Sequence, residues 1–431
     1  MNSEEALSLV CKLFTTKYEM PLTPLEQEII RQSWEGREYK DMQIAGYSSA
    51  YVKTNIAPEL WKKISKVLGV TVGKKNLRVV FHNLPWEKFS TKLETRKEFV
   101  HNWQNMSDLE IFGRDQELAT LQKWILQDEC RLVAISGMAG IGKTTLTGNL
   151  LQRLASNQEV RFANIIWLSL ENEPTLESLL TELIDLLAPQ QCLVPSIGNL
   201  IYHLRLHRYL IIFDAVENIF AKASLAGKYR QGYESYGNLF KQVSKSQHQS
   251  CLLLTSIEIP REISVLVGNN SPVRLLKLQG LAIQPAKEIF RNRGLTEEGN
   301  WENMINLYRG NPLALKMLAI MIWELFNGKV GNFLAENTIF IGQILDLLDK
   351  QFVRLSNLEL QLIYWLANIK EPVNFTYLCL HFEPNISKSE IITVLESLVM
   401  RSLIEKNLEN DEFLFSLQPV IQKYVRNYYT K

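Results

Sequence analysis

Lys143 and Thr144 close the run Gly137-Met138-Ala139-Gly140-Ile141-Gly142-Lys143-Thr144, which fills every position of the pattern G-x-x-x-x-G-K-[ST]. These residue types suit a chain of phosphates. Glycines at 137, 140 and 142 let the backbone turn its N–H groups inward, and the next helix offers its positive end. Lys143 then reaches the β- and γ-phosphates, the Thr144 hydroxyl holds Mg²⁺, and Thr145 comes next at the start of the helix. Asp214 is the second candidate for the metal, because it ends the apolar run Tyr209-Leu210-Ile211-Ile212-Phe213. A strand ending in an acid downstream of such a loop can share the ion with Thr144. The sequence thus points to a bound nucleoside phosphate with Mg²⁺.

The elements that must position these groups are legible around them. Leu132 to Ile135 reads as a buried strand leading into the glycine loop, and Thr145 to Leu154 as an amphipathic helix leading out. Apolar runs at Ala163 to Leu170, Tyr209 to Phe213, Cys251 to Thr255 and Val273 to Leu278 alternate with helical runs at Leu176 to Leu187 and Leu200 to Leu206. Strands spaced by helices predict an α/β core with a mainly parallel sheet, which binds ligands at the carboxyl ends of its strands. We place this nucleotide-binding domain at residues 109–279.

Composition frames the rest. A chain of 431 residues exceeds one core, its net charge of +1 gives no whole-chain attraction to nucleic acid or membrane, and its five cysteines include no C-x-x-C pair. Glu4 and Glu5 stand where a secretory leader would be basic. The apolar stretch Pro312 to Phe326 is interrupted by Lys316 and Glu324 and is too short to span a bilayer. The expectation is a soluble, cytoplasmic protein with reduced cysteines and no membrane partner.

Residues 1–81 read as short helices joined by tight turns. Thr23-Pro24 starts a helix carrying Leu25, Ile29, Ile30 and Trp34, a second covers Glu38 to Ala45, and Ser48 or Ser49 caps a third running toward Ile56. Pro58 restarts a helix with Leu60, Trp61, Ile64 and Val67 on one face, ending at Gly69. Together they predict a helix-turn-helix-like unit. Lys53, Lys62, Lys63, Lys66, Lys74, Lys75 and Arg78 against Glu59 form a basic stretch that either contacts nucleic-acid phosphates or is a solvated helix face. Residues 82–108 read as a linker with one charged helix, Glu87 to Trp103.

Downstream, helical periodicity from Ile283 to Phe326, broken at Gly310-Asn311-Pro312, marks a helical domain at 280–335. Helical patterns at Ile344 to Val353, Glu359 to Asn368 and Ser389 to Arg401 precede a β-hairpin of Ser402 to Lys406 and Glu412 to Leu417 around Asn407 to Asp411. They predict a winged helix at 336–431. No period of 20 to 50 residues is found.

In chain order, Phe112-Gly113-Arg114, Gly137 to Thr145, Leu210 to Asp214, Leu253-Leu254-Thr255-Ser256 and Gly310-Asn311-Pro312-Leu313-Ala314-Leu315 resemble NB-ARC nucleotide switches of the STAND class. Tyr229 to Gly237 and His248 to Cys251 look like the bacterial branch. The N-terminal pattern Ser33-Trp34, Tyr39, Tyr51-Val52-Lys53, Leu60-Trp61 and Lys74 to Arg78 is similar to the helix-turn-helix-like domain of von Willebrand A/MoxR-associated proteins. The resemblance implies a sensor strand, Cys251 to Thr255, between the glycine-loop strand and the Asp214 strand. It implies Phe112, Arg114 and Pro312 around an adenine, ADP at rest, exchange for ATP, and self-association or a protein partner on activation, with DNA an alternative partner of the N-terminal domain.

Three positions depart from the family pattern. Ala215 stands where a second acid commonly comes after the metal aspartate, and Ile257 where an arginine commonly comes after the sensor strand. Leu417-Gln418-Pro419 replaces Met-His-Asp, leaving Gln418 to meet the β-phosphate without charge. Glu217 either substitutes for the missing acid or complements a helix end. The expectation is nucleotide binding with slow or absent hydrolysis. These proteins commonly continue into a repeat sensor, so this chain either senses through its N-terminal domain or a partner, or is part of something longer.

Overall fold

The computed structural model describes residues 22–83 except 43, 45, 46 and 69, then 110–156, 162–188, 194–336, 339, 342–369, 371–382 and 385–428. The chain divides into two compact units, residues 1–98 with 180–199 and residues 99–179 with 200–431. The expected linker helix at Glu87 to Trp103 and the helix stop at Gly69 lie outside the described residues.

In the first unit, α1 (Pro24–Trp34) opens on a reciprocal cap: Glu26 N–H donates to Thr23 Oγ1 (3.3 Å) and Thr23 N–H to Glu26 Oε2 (2.9 Å). Where a helix over Glu38 to Ala45 is expected, the described residues form only a 3-10 turn, Tyr39–Asp41. The chain becomes extended at Met42, which is buried, so the helix has nowhere to continue. α2 (Ser49–Tyr51) runs through a π turn, Val52–Ile56, directly into α3 (Ala57–Leu68), so Pro58 does not start a new helix. Ala57 N–H bonds Val52 O five residues back, and the widened turn makes room for a proline ring that would clash inside a regular helix. α4 (Leu77–Asn83), absent from the sequence reading, starts after Asn76, whose Oδ1 accepts from Gly73 N–H (2.7 Å). Ile29, Ile30, Trp34, Val52, Leu60, Trp61, Ile64 and Leu77 form the core, each large apolar side chain contributing about 1.5–3 kcal/mol.

The second unit opens with α5 (Asp115–Leu126), β1 (Leu132–Ser136), α6 (Lys143–Ser156) and β2 (Asn164–Ser169), followed by α7 (Leu176–Leu187) and α8 (Ile197–Leu206), of which residues 180–187 and 197–199 fall in the first unit. β3 (Tyr209–Asp214), α9 (Ser235–Lys245), β4 (Cys251–Ser256), α10 (Arg261–Leu266) and β5 (Val273–Lys277) complete the sheet region. The five strands pair in the order β2-β3-β4-β1-β5, all parallel. β1, β3 and β4 are buried throughout, the pattern of strands covered on both faces. β4 lies between β1 and β3, as the resemblance implied, with Leu253 opposite both Val133 and Ile212.

α11 (Ile283–Arg293), α12 (Trp301–Leu307), α13 (Pro312–Phe326) and α14 (Val330–Ala335) come next. Then come α15 (Leu345–Phe352), α16 (Asn357–Asn368), β6 (Val373–Asn374), α17 (Phe375–His381), α18 (Lys388–Met400), β7 (Ile404–Glu409), β8 (Glu412–Leu417) and α19 (Pro419–Tyr428). β6, β8 and β7 form an antiparallel sheet. Its hairpin is tighter than expected: Asn410 and Asp411, with φ of 48° and 64°, make a two-residue turn that lets the strands run to Glu409 and from Glu412. One hydrophobic cluster runs from Leu281 to Val425 and so spans the expected boundary between residues 335 and 336. No described helix is long and apolar enough to cross a membrane.

Burial pushes the thiols of Cys130 and Cys251 above their usual range, whereas Cys379 is half-exposed. Cys379 is therefore expected to react with a thiol reagent at pH 8 while Cys130 and Cys251 react only after denaturation, as peptide mapping by mass spectrometry would show.

Candidate nucleotide site

The carboxyl ends of β1, β3 and β4 meet the first turn of α6. Glycines shape the loop between: a Cβ on Gly137 would stand 2.7 Å from Leu278 O, and Gly142 has a φ of +100° that other residues rarely adopt. The Lys143 ammonium donates to the carbonyls of Gly137 (2.9 Å) and Met138 (3.1 Å), which folds the side chain back over the loop. Burial pushes its pKa below the usual value, while the Glu217 and Asp214 carboxylates oppose that shift. A desolvated cation with only carbonyl acceptors suits an incoming anion.

Thr144 Oγ1 lies 3.2 and 3.3 Å from the two Asp214 oxygens. Burial raises the Asp214 carboxyl above its ordinary value, opposed by hydrogen bonds from Thr255 and Thr144. Hydroxyl and carboxylate oxygens converging at the mouth of the loop are the hard donors that Mg²⁺ prefers, so these residues fit the ion. Thr255, at the end of β4, donates to Asp214 and accepts from Ala215 N–H (3.2 Å), a role the sequence reading missed. The resemblance already set the two strands side by side, and with Phe213 opposite Leu254 the next residues of the two strands are neighbours.

Arg114 is buried and already engaged. Its guanidinium pairs with Glu117 (2.8 Å) and donates to the carbonyls of Ile141 (3.2 Å) and Gln279 (2.7 Å), tying the glycine loop to the chain beyond β5. Phe112 is half-buried, with Lys316 Nζ 5.8 Å from its ring centre. Pro312 begins α13 behind the Asn311 cap, 3.9 Å from where a Gly142 Cβ would be. The glycine loop also holds this helix: Asn311 Nδ2 donates to Ala139 O (3.0 Å) and Leu313 N–H to Gly140 O (3.3 Å). Thr145 is half-buried, its carbonyl accepting from Asn149 Nδ2 (3.0 Å). Gln418, just past β8, is half-buried, its carbonyl accepting from Gln422 N–H (2.9 Å). The structure thus joins Gly137, Gly140, Gly142, Lys143, Thr144 and Asp214 in one site, with Arg114 and Pro312 at its border; among the described residues no hydrogen bond joins the Gln418 side chain to it.

Glu217, weighed in the sequence as a substitute acid or a helix-end partner, lies beside the site. Its carboxylate accepts from Ile257 N–H (3.2 Å), which holds it beside the ends of β3 and β4. Ala215 adopts the left-handed conformation (φ 60°) between Asp214 and the short turn that carries Glu217.

Residues 114–225 match the NB-ARC domain family. The chain carries an NB-ARC domain. Ahead of it, residues 1–84 match the family described as vWA-MoxR associated protein N-terminal HTH. NB-ARC domains are P-loop NTPase domains that bind nucleotide, typically with Mg²⁺. An uncharacterized WD repeat-containing protein of Nostoc is 40% identical over 343 residues, covering 76% of this chain and 27% of its own length. A disease susceptibility protein of Arabidopsis thaliana is 26% identical over 164 residues, covering 36% of this chain and 18% of its own. The chain therefore spans about a quarter or less of these relatives. A Walker-type ATPase of Pyrococcus abyssi has a similar fold, with a TM-score of 0.52, 18% identity, and coverage of 74% of this chain and 99% of the other.

In the N-terminal unit, several of the bases are engaged internally. Lys63 pairs with Glu26 (2.9 Å), Lys74 pairs with Glu38 (3.1 Å) and lies over the Tyr39 ring, and Arg78 Nε donates to Trp34 O.

Proposed function

We propose that this chain is a nucleotide-dependent switch in which ADP holds the NB-ARC sheet and the helical C-terminal half together, and exchange for ATP releases them to engage a partner or another copy. The observation that carries the reading is the sharing of the phosphate loop. Its carbonyls at Ala139 and Gly140 hold the start of α13, so a change at the phosphates reaches the C-terminal half directly. Thr144 and Asp214 would hold Mg²⁺, which would supply neutralisation of charge at the phosphates. Lys143 would leave the carbonyls of Gly137 and Met138 for the β-phosphate, and Arg114 would keep the loop in register. Moving such a switch from mostly closed to mostly open takes about 5.5 kcal/mol of differential nucleotide binding.

Hydrolysis is slow in this reading. Ala215 offers no base, Glu217 spends its carboxylate on the Ile257 amide, and Ile257 brings no guanidinium to a γ-phosphate. General-base help contributes roughly 10²- to 10⁴-fold and an arginine on the phosphate about 10³- to 10⁵-fold. DNA binding by the N-terminal unit is the weaker alternative, because Lys63, Lys74 and Arg78 already serve its own fold.

The test is the nucleotide released when freshly purified protein is denatured, with elution volume and protease sensitivity compared in ADP and in a non-hydrolysable ATP analogue. Near-stoichiometric ADP and a change of elution with the analogue are expected. Retained ATP would support binding without turnover, and a pocket that stays empty with added nucleotide would end the switch reading.

A further inference from the structure

Behind the nucleotide site, on the far side of Glu217, four charged side chains are buried together. Glu258, two residues past β4, and Glu359, in the first turn of α16, are 0% exposed, Arg401 is 1% and Arg354 is 5% exposed. Arg354 Nε donates to Glu258 Oε1 (2.8 Å), and Arg401 Nη2 lies 3.2 Å from Glu258 Oε2. Arg401 Nη1 reaches Glu359 (3.2 Å), and Ser397 Oγ donates to Glu359 Oε1 (2.6 Å). The same groups grip the backbone of the NB-ARC region. Arg401 Nη2 donates to Ser224 O (2.7 Å), Ser397 Oγ accepts from Ala226 N–H (2.7 Å), and Glu258 Oε2 accepts from Gly227 N–H (2.9 Å). One further bond leads back to the site: Arg354 Nη2 donates to Glu217 O (2.6 Å).

We infer that Glu258, Arg354, Arg401 and Glu359 form a charge-balanced clamp that docks the C-terminal helices on the NB-ARC sheet, and that Glu217 couples this clamp to the phosphates. The inference rests on the switch reading above and names how that site is regulated. Two carboxylates and two guanidiniums cancel while docked, and each is readily hydrated once apart, so the joint separates at less cost than an apolar one of the same area. Removing one member while docked strands an unpaired buried charge, so the clamp holds completely or lets go. Glu217 has its carboxylate on the Ile257 amide (3.2 Å), where its charge acts on Lys143, and its carbonyl on Arg354. A γ-phosphate drawn to Lys143 would add a like charge that repels that carboxylate, and displacing Glu217 would withdraw its carbonyl from Arg354.

The test uses the full chain loaded with Mg²⁺ and a fluorescent ADP analogue, chased with excess ADP, alongside limited proteolysis of the 221–230 loop. Glu258→Gln is expected to release the analogue roughly 10- to 100-fold faster and to expose that loop to cleavage. Ser397→Ala, a milder change, is expected to give about a fivefold acceleration. A Glu258→Gln protein that binds the analogue and releases it at the wild-type rate, with the loop still protected, overturns the clamp. Should Glu258→Gln fail to fold, Ser397→Ala decides on the same two readouts, with wild-type behaviour overturning the proposal. If the wild-type chain binds no nucleotide, the switch reading fails, and loop cleavage in Ser397→Ala still decides whether the clamp docks the two parts.

Discussion

Lys143→Ala is expected to weaken ADP and ATP binding by roughly 10²- to 10⁴-fold while leaving the melting temperature of the ligand-free protein nearly unchanged. The two effects have one origin. In the ligand-free fold the ammonium is desolvated, its pKa is pushed down, and its partners are two neutral carbonyls. Such a group adds little to folding, because the bonds it makes only offset the hydration it lost. Facing phosphate oxygens, the same group makes charge-assisted hydrogen bonds of about 1.5–3 kcal/mol each, and two of them give the affinity range stated. Titration of each nucleotide and thermal melts with and without Mg²⁺·ADP measure both parts. A variant that binds ADP as the wild type does would remove Lys143 from the site. A large loss of ligand-free stability would mean that its main task is to hold the loop.

Arg401→Ala should produce the largest stability loss of any single substitution considered, about 3–5 kcal/mol, the range for breaking a buried ion pair from one side. The side chain is 1% exposed, and its loss leaves Glu359 without its guanidinium partner, Glu258 with Arg354 alone, and the carbonyls of Arg354 and Ser224 without its N–H groups. For a unit of this size the apparent melting temperature is expected to fall by roughly 5 to 15 °C. Arg309→Ala is the informative comparison. Arg309 also pairs with a glutamate, Glu405, but is 44% exposed, and an exposed pair contributes at most about 1 kcal/mol. Equal losses in the two variants would mean that burial adds nothing to the ion pairs of Arg401.

The sheet and the phosphate loop were legible because each is written locally. A strand buried on both faces is a continuous apolar run, and the glycine loop announces itself over eight residues. β4 between β1 and β3 came from the family resemblance, since no local pattern orders parallel strands. What escaped was of two kinds. The π turn before Pro58 and the start of α4 depend on single backbone hydrogen bonds, from Ala57 N–H to Val52 O and around Asn76, that leave no periodic trace. The buried charges escaped for another reason. Glu258, Glu359, Arg354 and Arg401 look in sequence like ordinary solvated residues, and they acquire their charged partners only when segments 42 to 143 residues apart are brought together. Arg114 shows the converse: expected near an adenine, it is found occupied by Glu117 and by two backbone carbonyls that brace the loop.

The cap of α16 ties two helices to a single side chain. Glu359 Oε2 accepts from Ser356 N–H and Ser356 Oγ, each at 2.8 Å, while its other oxygen accepts from Ser397 and both face Arg401. One carboxylate thus closes the helix start and joins it to α18, so the two cannot loosen independently. Whatever draws Arg401 away also frays the first turn of α16, and amide hydrogen exchange at residues 356–360 becomes a clock for undocking that requires neither a label nor a known partner.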